Sequence, residues 1–383
     1  MFKFRRRPLS TGLNSQCSLP RDSLVSNQDA FAILLSAYHP NINLLGISTT
    51  HGNSSVAHTT INAGSLLTAM GRPSIPVYRG AAEGLTRPAV HAPAIHGESG
   101  IEGTLLLPKP AVAPATDVPA VDAMARALLA SPAGTAWLVA TGSLTNIAQV
   151  FTKYPELAAH IKGLSIMGGA IGGGHTNAPM GKVDDKTRIG NWSFWAEFNI
   201  LVDPEAAAFL FDNEILNKKI ALLPLDVTHL VLASKEVQSS LLYGKAGGSG
   251  KGISTLRIML VELLTFFANT YAEVFGITEG PPLHDPLAVA IILDGIAGAE
   301  IPFYDFKDGS TRKERFQVKI ATDGTHEEAQ AGTAKTGQTV ATLLEEGREG
   351  VKIPRGLDVK RFWKVIEDCL EAADEVNKAN GVF

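Results

Sequence analysis

The stretch Gln28-Asp-Ala-Phe-Ala-Ile-Leu-Leu-Ser-Ala-Tyr-His-Pro-Asn-Ile-Asn-Leu-Leu-Gly-Ile-Ser-Thr-Thr-His-Gly-Asn53 decides the fold of this chain of 383 residues. Asp29 opens an apolar segment that predicts a helix, and residues 44–50 form an apolar run that predicts a buried strand. A polar turn ending at Asn53 follows the strand. Because open α/β sheets bind their ligands at the carboxyl ends of the strands, Asp29 and Asn53 are candidates for one site.

Strand-like and helix-like segments alternate along the rest of the chain. Apolar runs predict further strands at residues 137–140, 164–167 and 220–223. Helical patterns are predicted at residues 56–70, 121–129, 144–151, 204–211, 255–271 and 359–376. Such alternation indicates parallel βαβ units. We therefore predict an α/β fold with a mainly parallel central sheet flanked by helices.

The composition excludes several classes of protein. A hydrophobic content of 45% and a charged content of 19% are typical of a globular protein, and the net charge of −4 argues against nucleic-acid binding. No uninterrupted apolar run reaches the roughly 18–20 residues of a membrane helix, so no membrane association is expected. The two cysteines, Cys17 and Cys369, give no disulfide framework. A reducing compartment, the cytoplasm, is the expected location.

The first residues differ from the rest in charge. Residues 1–21 contain five basic side chains and no acidic one, a composition that also resembles a transit peptide. We expect residues 1–26 to be a disordered or wrongly assigned basic tail. Residues 27–383 are then expected to form a single domain with long loops at residues 86–119 and 171–195.

Polar segments follow the predicted strands, where parallel strands would bring them to one edge of the sheet. They are Thr141-Gly-Ser-Leu-Thr-Asn146, Gly168-Gly-Ala-Ile-Gly-Gly-Gly174, Asn191-Trp-Ser-Phe-Trp-Ala-Glu-Phe-Asn199 and Pro281-Pro-Leu-His-Asp-Pro286. Each also has a purely structural explanation. Glu197 and Asn199 alternate as on a strand and could be solvated strand residues, and Asp285 could cap a helix.

Taken together, seven motifs occur in the order and approximate spacing of a known family. They are Asp29-Ala-Phe-Ala-Ile-Leu-Leu35, Ile47-Ser-Thr-Thr-His-Gly-Asn53, His96-Gly-Glu-Ser-Gly100, Thr141-Gly-Ser-Leu-Thr-Asn-Ile-Ala148, Met167-Gly-Gly169, Ala196-Glu-Phe-Asn199 with Asp203-Pro-Glu-Ala-Ala207, and His284-Asp-Pro286. The chain resembles the inosine-uridine nucleoside hydrolases over roughly residues 27–375. Any one of these motifs is weak evidence, but seven in order are strong evidence.

The resemblance implies a Rossmann-like fold that holds Ca²⁺ at the carboxyl edge of its sheet. It implies hydrolysis of the N-glycosidic bond of ribonucleosides of the inosine and uridine type, through an oxocarbenium-like transition state. The products are ribose and the free base, and the attacking water is bound to calcium. The nucleoside is a small-molecule partner, and a homo-oligomer, a dimer or a tetramer, is expected.

The resemblance also assigns roles to individual residues. Asp29 and Asp285 would bind calcium through their carboxylates, and Thr141 would bind it through its backbone carbonyl. His284 would lie near the base, where it could protonate a leaving purine. The expected substrate-binding residues are Gln28, Asn53, His96, Asn191, Glu197 and Asn199, with His96 on the base side.

The family's opening signature, Asp-x-Asp-Pro-Gly-x-Asp-Asp, is degraded here. The aligned stretch is Asp22-Ser-Leu-Val-Ser-Asn-Gln-Asp29, which places Leu24 and Gln28 where the family has aspartates. In the family the Asp at the position of Leu24 binds calcium and accepts the proton of the water. Loss of a general base typically costs about 10²–10⁴ in rate. Gln28 can still form hydrogen bonds, so that change is milder.

Two explanations account for the degraded signature. Either the true start of the chain has been replaced, or the protein has diverged and lost hydrolysis. The second explanation leads to an alternative function, a non-catalytic protein that binds ribose or a nucleoside. We expect Leu24→Asp alone to restore little activity, because no convincing apolar strand precedes residue 22 to hold the new carboxylate.

Overall fold

The computed structural model describes the backbone of residues 17–23 and the residues 27–92, 95, 97–183, 186–245, 247–306 and 313–381. Its strands are β1 (Cys17–Ser23), β2 (Ile42–Thr49), β3 (Val77–Arg79), β4 (Trp137–Ala140), β5 (Gly163–Met167), β6 (Lys182–Val183), β7 (Lys186–Thr187), β8 (Ile220–Leu223), β9 (Phe303–Tyr304), β10 (Phe316–Ile320), β11 (Thr339–Leu343) and β12 (Gly356–Leu357). Its helices are α1 (Asp29–Tyr38), α2 (Val56–Ala69), α3 (Ala120–Ala130), α4 (Thr145–Lys153), α5 (Leu157–His160), α6 (Phe198–Leu201), α7 (Pro204–Asp212), α8 (Leu225–Thr228), α9 (Lys235–Tyr243), α10 (Thr255–Phe275), α11 (Asp285–Ala290), α12 (His326–Gln330) and α13 (Val359–Ala379).

A six-stranded sheet in the order β3-β2-β1-β4-β5-β8 forms the centre of the fold. All of its neighbouring strands pair in parallel. The predicted α/β fold with a mainly parallel central sheet is therefore confirmed. The predicted strands and helices also agree with the observed ones to within a few residues.

Strand β1 contradicts the expectation of a tail up to residue 26 with no strand before residue 22. Residues 17–23 pair with β2 from Cys17↔Ile42 to Ser23↔Thr49, and Arg21 and Asp22 also pair with β4. Backbone pairing on both sides can hold a strand whose side chains have little strand propensity. The register shifts between Leu19 and Pro20, where proline cannot donate to a ladder. Leu24 lies outside the described residues.

Two layers of helices cover the sheet. On one face a buried hydrophobic cluster joins α1, α2, α10, α11 and α13 to the strands, and on the other face a second cluster joins α3, α4, α5 and α7 to them. Helix α1 is buried almost all round, since the residues from Ala30 to Leu35 are 0% exposed. The chain after β1 turns to one face and the chain after β4 turns to the other. The crevice between β1 and β4 is thus the topological switch point of the sheet, a preferred place for ligands.

Helix α10 links the core to the open end of this crevice. Among the described residues it is the one helix long and apolar enough to cross a membrane by length and composition, and its apolar face packs into the core. Near its start Arg257, which is 1% exposed, forms ion pairs with Glu367 at 2.8 Å and Asp374 at 2.5 Å on α13. A buried guanidinium needs such partners, because an unpaired buried charge is strongly destabilising. The two ion pairs therefore fix the first half of α10 to α13.

Candidate active site

A cavity opens at the carboxyl edge of the sheet, beside the ends of β2, β4 and β5. Its position agrees with the rule that ligands of open α/β sheets bind outside the carboxyl ends of the strands. The cavity is lined by Gln28, Asn53, Ala92, Ile95, Thr141, Met167, Asn191, Trp192, Glu197, Phe198, Asn199, Phe267, Tyr271, Phe275, His284 and Asp285.

Most of the site residues named from the sequence meet in this cavity. Those on its wall are Gln28, Asn53, Thr141, Asn191, Glu197, Asn199, His284 and Asp285. Asp29 is 0% exposed and lies behind Thr141, whose hydroxyl donates to its Oδ1 at 2.8 Å. His96 lies outside the described residues. The structure thus brings distant parts of the sequence together, and the chemical role of each residue stays a prediction.

Glu197 is a buried helix cap. The interpretation of Glu197 as a solvated strand residue is wrong, because it is the N-cap of α6 and is 2% exposed. Its carboxylate accepts backbone N–H groups of Gly169 at 2.8 Å, Asn199 at 2.9 Å and Ile200 at 3.2 Å. Burial raises the pKa of Glu197 to about 7, while these backbone bonds act in the opposite direction. A carboxyl group near its pKa at neutral pH is thereby fixed at the wall of the cavity.

Two asparagine side chains are oriented by the backbone around them. The amide nitrogen of Asn199 donates to the carbonyl of Met167 at 3.1 Å and, at 3.4 Å, to that of Thr141. The amide oxygen is then the acceptor that Asn199 can offer to a ligand. Asn191 is held the opposite way, because its Oδ1 accepts the N–H of Phe198 at 2.9 Å. Its NH₂ group is therefore the end that faces other partners.

Gly190 sets the path of the backbone at Asn191. A Cβ atom at residue 190 would lie 2.1 Å from the carbonyl oxygen of Ala196, far inside contact distance. Only glycine permits this close approach of the two chain segments. The loop that carries Asn191 is in this way fixed against the segment that carries Glu197.

Gln28 connects the start of α1 to the start of α11. Its amide nitrogen donates to the carbonyl of Pro282 at 3.0 Å, and its amide oxygen accepts the N–H of His284 at 2.5 Å. An amide can form both bonds and still has one N–H and one lone pair for a ligand. Gln28 thus positions His284 in addition to lining the cavity.

Asp285 and Thr141 line the cavity, and Asp29 lies behind Thr141. Their carboxylate and backbone carbonyl oxygens are ligands of the kind that Ca²⁺ prefers. Calcium takes 6–8 such ligands. In the described part of the chain, no group of three or more His, Cys, Asp or Glu side chains could hold a metal ion. The type of ligand fits calcium, and the number of protein carboxylates is small.

His284 stands between two hydroxyl groups. Its Nδ1 lies 2.7 Å from the hydroxyl of Thr228, and its Nε2 lies 2.8 Å from the hydroxyl of Tyr271. Burial raises the pKa of Tyr271 above its usual range. His229, next along the chain from Thr228, packs against both rings, and burial lowers its pKa to about 4. The sequence analysis did not identify Thr228, His229 or Tyr271 as site residues.

Aromatic side chains form the wall opposite the polar groups. Phe267, Tyr271 and Phe275 recur every four residues on α10 and stack with ring centroids 4.6 and 4.8 Å apart. The spacing is visible in the sequence, but a stripe of this kind is also what core packing requires. Trp192 and Phe198, 4.9 Å apart, complete a second apolar edge. Aromatic edges of this kind are suited to a flat, apolar group.

The turn that carries Asn53 is supported from behind by a buried polar chain. His51 lies 3.1 Å from the hydroxyl of Thr145, which donates to Asp203 at 2.6 Å. Burial raises the pKa of Asp203, although the Thr145 bond lowers it. Burial, reinforced by neighbouring histidines, lowers the pKa of His51 to about 4. Asp203 also caps α7, so one buried network joins the turn, α4 and α7.

The sequence model of one family, described as inosine-uridine preferring nucleoside hydrolase, matches residues 24–364. The chain belongs to this family. The resemblance inferred from the seven motifs is therefore confirmed, and with it the prediction that the chain is a ribonucleoside hydrolase.

Two relatives of this nucleoside hydrolase match most of its length. The uridine nucleosidase of Saccharomyces cerevisiae is 36% identical over 358 residues, 92% of this chain and 95% of the relative. The pyrimidine-specific ribonucleoside hydrolase RihA of Citrobacter koseri is 37% identical over 268 residues, 70% of this chain and 76% of the relative.

Solved structures show the same fold at lower identity. A purine-preferring ribonucleoside hydrolase from Gardnerella vaginalis is 24% identical and superposes with a TM-score of 0.72, over 94% of this chain and 99% of the other. A plant nucleoside hydrolase, PpNRh1, is 24% identical with a TM-score of 0.70, over 92% and 98% of the two chains. At this identity the likeness establishes the Rossmann-like nucleoside hydrolase fold alone.

Proposed function

We propose that this nucleoside hydrolase acts on pyrimidine ribonucleosides, with uridine as the favoured substrate. The observation that carries the proposal is the division of the cavity into a polar wall at Asn53, Glu197 and Asn199 and an aromatic wall at Phe267 and Phe275. A ribonucleoside is divided in the same way, into a polar ribose and a flat base. The 36% identity to the yeast uridine nucleosidase over nearly the whole chain supports uridine over inosine.

The polar wall is suited to the ribose hydroxyl groups. The Glu197 carboxylate and the Asn199 amide oxygen are acceptors fixed by backbone contacts, and such preorganised acceptors bind hydroxyl groups without rearrangement. A buried acceptor that loses its partner costs about 1–3 kcal/mol. The site should therefore discriminate strongly against 2′-deoxy or 3′-deoxy analogues.

The aromatic wall and the Tyr271–His284 pair are suited to the base. The leaving base carries developing negative charge as the glycosidic bond breaks. The Tyr271 hydroxyl and the His284 imidazole, 2.8 Å apart, are the groups at this wall that can hold or move a proton. We assign the pair as the general acid that protonates the leaving base.

Calcium is part of the proposal. Asp29, Asp285 and the Thr141 carbonyl would hold the ion, and the low exposure of both carboxylates, 0% and 5%, supports this assignment. When bound, Ca²⁺ lowers the pKa of a bound water and anchors the sugar. Leu24 stands at the position of the family's third carboxylate, which leaves two carboxylates and no obvious proton acceptor. We expect weak calcium binding and low activity in the chain as it stands.

Leu24 favours one alternative function, a protein that binds a nucleoside without cleaving it. The decisive experiment measures ribose release from uridine, cytidine and inosine by the full chain, with added calcium and with a chelator. Uridine binding is measured in parallel by calorimetry. Faster release from uridine than from inosine supports the proposal, whereas binding without release supports the alternative.

Two variants test whether uridine is hydrolysed in this cavity. Asn199→Ala removes a proposed ribose contact, and Asn43→Ala makes the same chemical change at an exposed position of β2. We expect Asn199→Ala to lose at least tenfold in kcat/KM for uridine, since about 1.4 kcal/mol corresponds to tenfold. Equal activity of the two variants would place the reaction elsewhere.

We also propose a homo-oligomer, a dimer or a tetramer, in the cytoplasm and away from membranes. Leu105 is 102% exposed, close to the partly exposed Leu106, and exposed leucines of this kind are typical of interaction surfaces. The free thiol of Cys369 is consistent with a reducing compartment. Light scattering on the wild type and on Leu105→Asp tests association, because a charge at the interface should dissociate the oligomer.

A further inference from the structure

A mostly exposed loop after β3 forms part of the apolar side of the cavity. Residues 84–92, here called the wall segment, end at the cavity, which Ala92 and Ile95 line. Ala92 packs in an apolar cluster with Phe198 and Val202. Ile95 packs against that cluster and against the aromatic side chains of α10. The wall segment therefore leads to the gap between the two apolar edges of the cavity.

Arg87 fastens the wall segment to the start of α7. Its Nε donates to Oε2 of Glu205 at 2.9 Å, and its Nη2 donates to Oε1 at 2.6 Å, so the two planar groups pair side by side. The same guanidinium donates to the carbonyls of Thr322 at 2.6 Å and Gly324 at 2.7 Å. A lone surface ion pair contributes little, but a bidentate pair within a set of further hydrogen bonds fixes one geometry. The side chains of Arg87 and Glu205 are only 15% and 28% exposed, and they form such a clamp.

Further hydrogen bonds hold both ends of the wall segment. The carboxylate of Asp203, which caps α7, accepts the N–H of Leu85 at 2.9 Å. At the other end, the N–H of Ala92 donates to the carbonyl of Asn53 at 3.3 Å, and Nδ1 of His91 lies 3.0 Å from a carbonyl of the same turn. The two acidic residues at the start of α7 thus hold a wall of the cavity without lining it.

We propose that Arg87 is a positioning residue that, through Glu205, fixes the wall segment and thereby limits the room for the base. A wall that is ordered in advance strengthens binding, because the free energy of ordering does not oppose the ligand. A purine is larger than a pyrimidine and would have to displace a wall at this place. The fixed wall therefore favours uridine over inosine, an effect that rests on the proposed function.

The first experiment needs no nucleoside. Amide hydrogen exchange is measured on the full chain for the wild type, Arg87→Lys and Arg126→Lys. Lysine keeps the charge and lacks the planar fork, and Arg126 offers the same change at an exposed position of α3. In Arg87→Lys alone we expect the Leu85 and Ala92 amides to exchange about tenfold faster or more, with that of Ile47 in β2 unchanged. Unchanged rates at Leu85 and Ala92, or faster exchange at Ile47 as well, would overturn the proposal.

The second experiment measures kcat and KM for uridine and inosine with the same three proteins. For uridine we expect Arg87→Lys to raise KM about tenfold with kcat within about twofold, as the loss of a binding surface away from the reacting bond does. KM for inosine should change by less than about threefold, so the preference for uridine narrows. Where turnover is slow, dissociation constants from calorimetry replace KM. An unchanged ratio of the uridine and inosine values would overturn the proposal.

A double variant shows whether Arg87 acts through Glu205. Glu205→Gln keeps an acceptor oxygen and removes the charge, so it should raise KM for uridine by less than Arg87→Lys does. The double variant should have the KM of Arg87→Lys alone, because residues that act as one unit are not additive. Effects that multiply would contradict the pairing. A wild type that binds neither nucleoside would contradict the proposed function, and the exchange rates would still decide whether Arg87 holds the wall segment.

Discussion

Replacement of Glu197 by glutamine should remove a pH dependence from the stability of the protein. The carboxyl group is buried, and burial raises its pKa from 4.5 to about 7 in the folded protein. In the unfolded chain the same group is in water and has its ordinary pKa. Between pH 4.5 and 7 the folded protein therefore binds a proton at Glu197 that the unfolded chain does not bind.

The sign and size of the effect follow from this difference. Extra proton binding by the folded state stabilises it at low pH, so the contribution of Glu197 is fully present below pH 4.5 and is lost as the pH rises through 7. One pKa unit corresponds to 1.36 kcal/mol. Between pH 5 and 8 the free energy of unfolding should therefore fall by about 2–3 kcal/mol through this group alone.

Glutamine has the same shape and does not titrate. It also places an NH₂ group against one of the backbone N–H donors that the carboxylate accepts, which costs about 1–2 kcal/mol at every pH. The variant should therefore be less stable than the wild type at pH 5 and equal or more stable at pH 8.

The assay is urea unfolding at pH 5 and pH 8 with a chelator present, for the wild type, Glu197→Gln and the exposed control Glu346→Gln. We expect the difference in unfolding free energy between wild type and Glu197→Gln to change by about 2–3 kcal/mol between the two pH values. A difference that is the same at both would refute the reasoning, because it would mean that Glu197 titrates alike in the folded and unfolded chains.

Three further predictions concern the metal, the degraded signature and the loop at residue 190. Asp285→Ala should abolish the rise in Tm on addition of calcium, because a ligand stabilises only the state that binds it; an equal rise in the variant would exclude Asp285 as a ligand. The sequence led us to expect little activity from Leu24→Asp alone, but strand β1, which that expectation lacked, ends at Ser23, so this variant should by itself raise calcium-dependent ribose release from uridine at least tenfold; unchanged release would contradict this. Gly190→Ala should lower the free energy of unfolding in urea by more than about 2 kcal/mol, because its Cβ would lie 2.1 Å from the Ala196 carbonyl oxygen; an unchanged free energy of unfolding would show that the loop can move to accept the Cβ.

The sequence alone was sufficient to predict those features that depend on a local pattern of residues. Apolar runs marked β2, β4, β5 and β8, and helical periods between them implied parallel connections, so the sheet and its functional edge could be predicted. The polar segments after the strands identified Asn53 and Thr141 for the same reason, and both line one cavity because parallel strands end at the same edge. Asp285 lines the same cavity but follows helix α10 and not a strand of the sheet, so this reason does not account for it.

The rest depends on contacts between distant segments. Strand β1 is a strand because β2 and β4 pair with it, and its own side chains gave no such signal. Glu197 was read as a strand residue, since its three backbone partners become visible only when the chain has folded. Thr228 and Tyr271 belong to helices whose sequences serve core packing equally well. Their role becomes apparent only through their distances to His284.

The central place of β1 has a consequence for how the chain folds during its synthesis. β1 leaves the ribosome first, yet one of its two neighbours, β4, lies in the second quarter of the sequence and appears much later. Until β4 has been synthesised, β1 can pair only with β2. The other edge of β1, which pairs with β4 in the complete fold, stays exposed. Pairings between distant segments fold slowly and expose edges that other chains can join. A nascent chain stalled before residue 137 should therefore be prone to aggregate, and the half of the molecule that carries β4 and β5 completes the sheet by closing that edge.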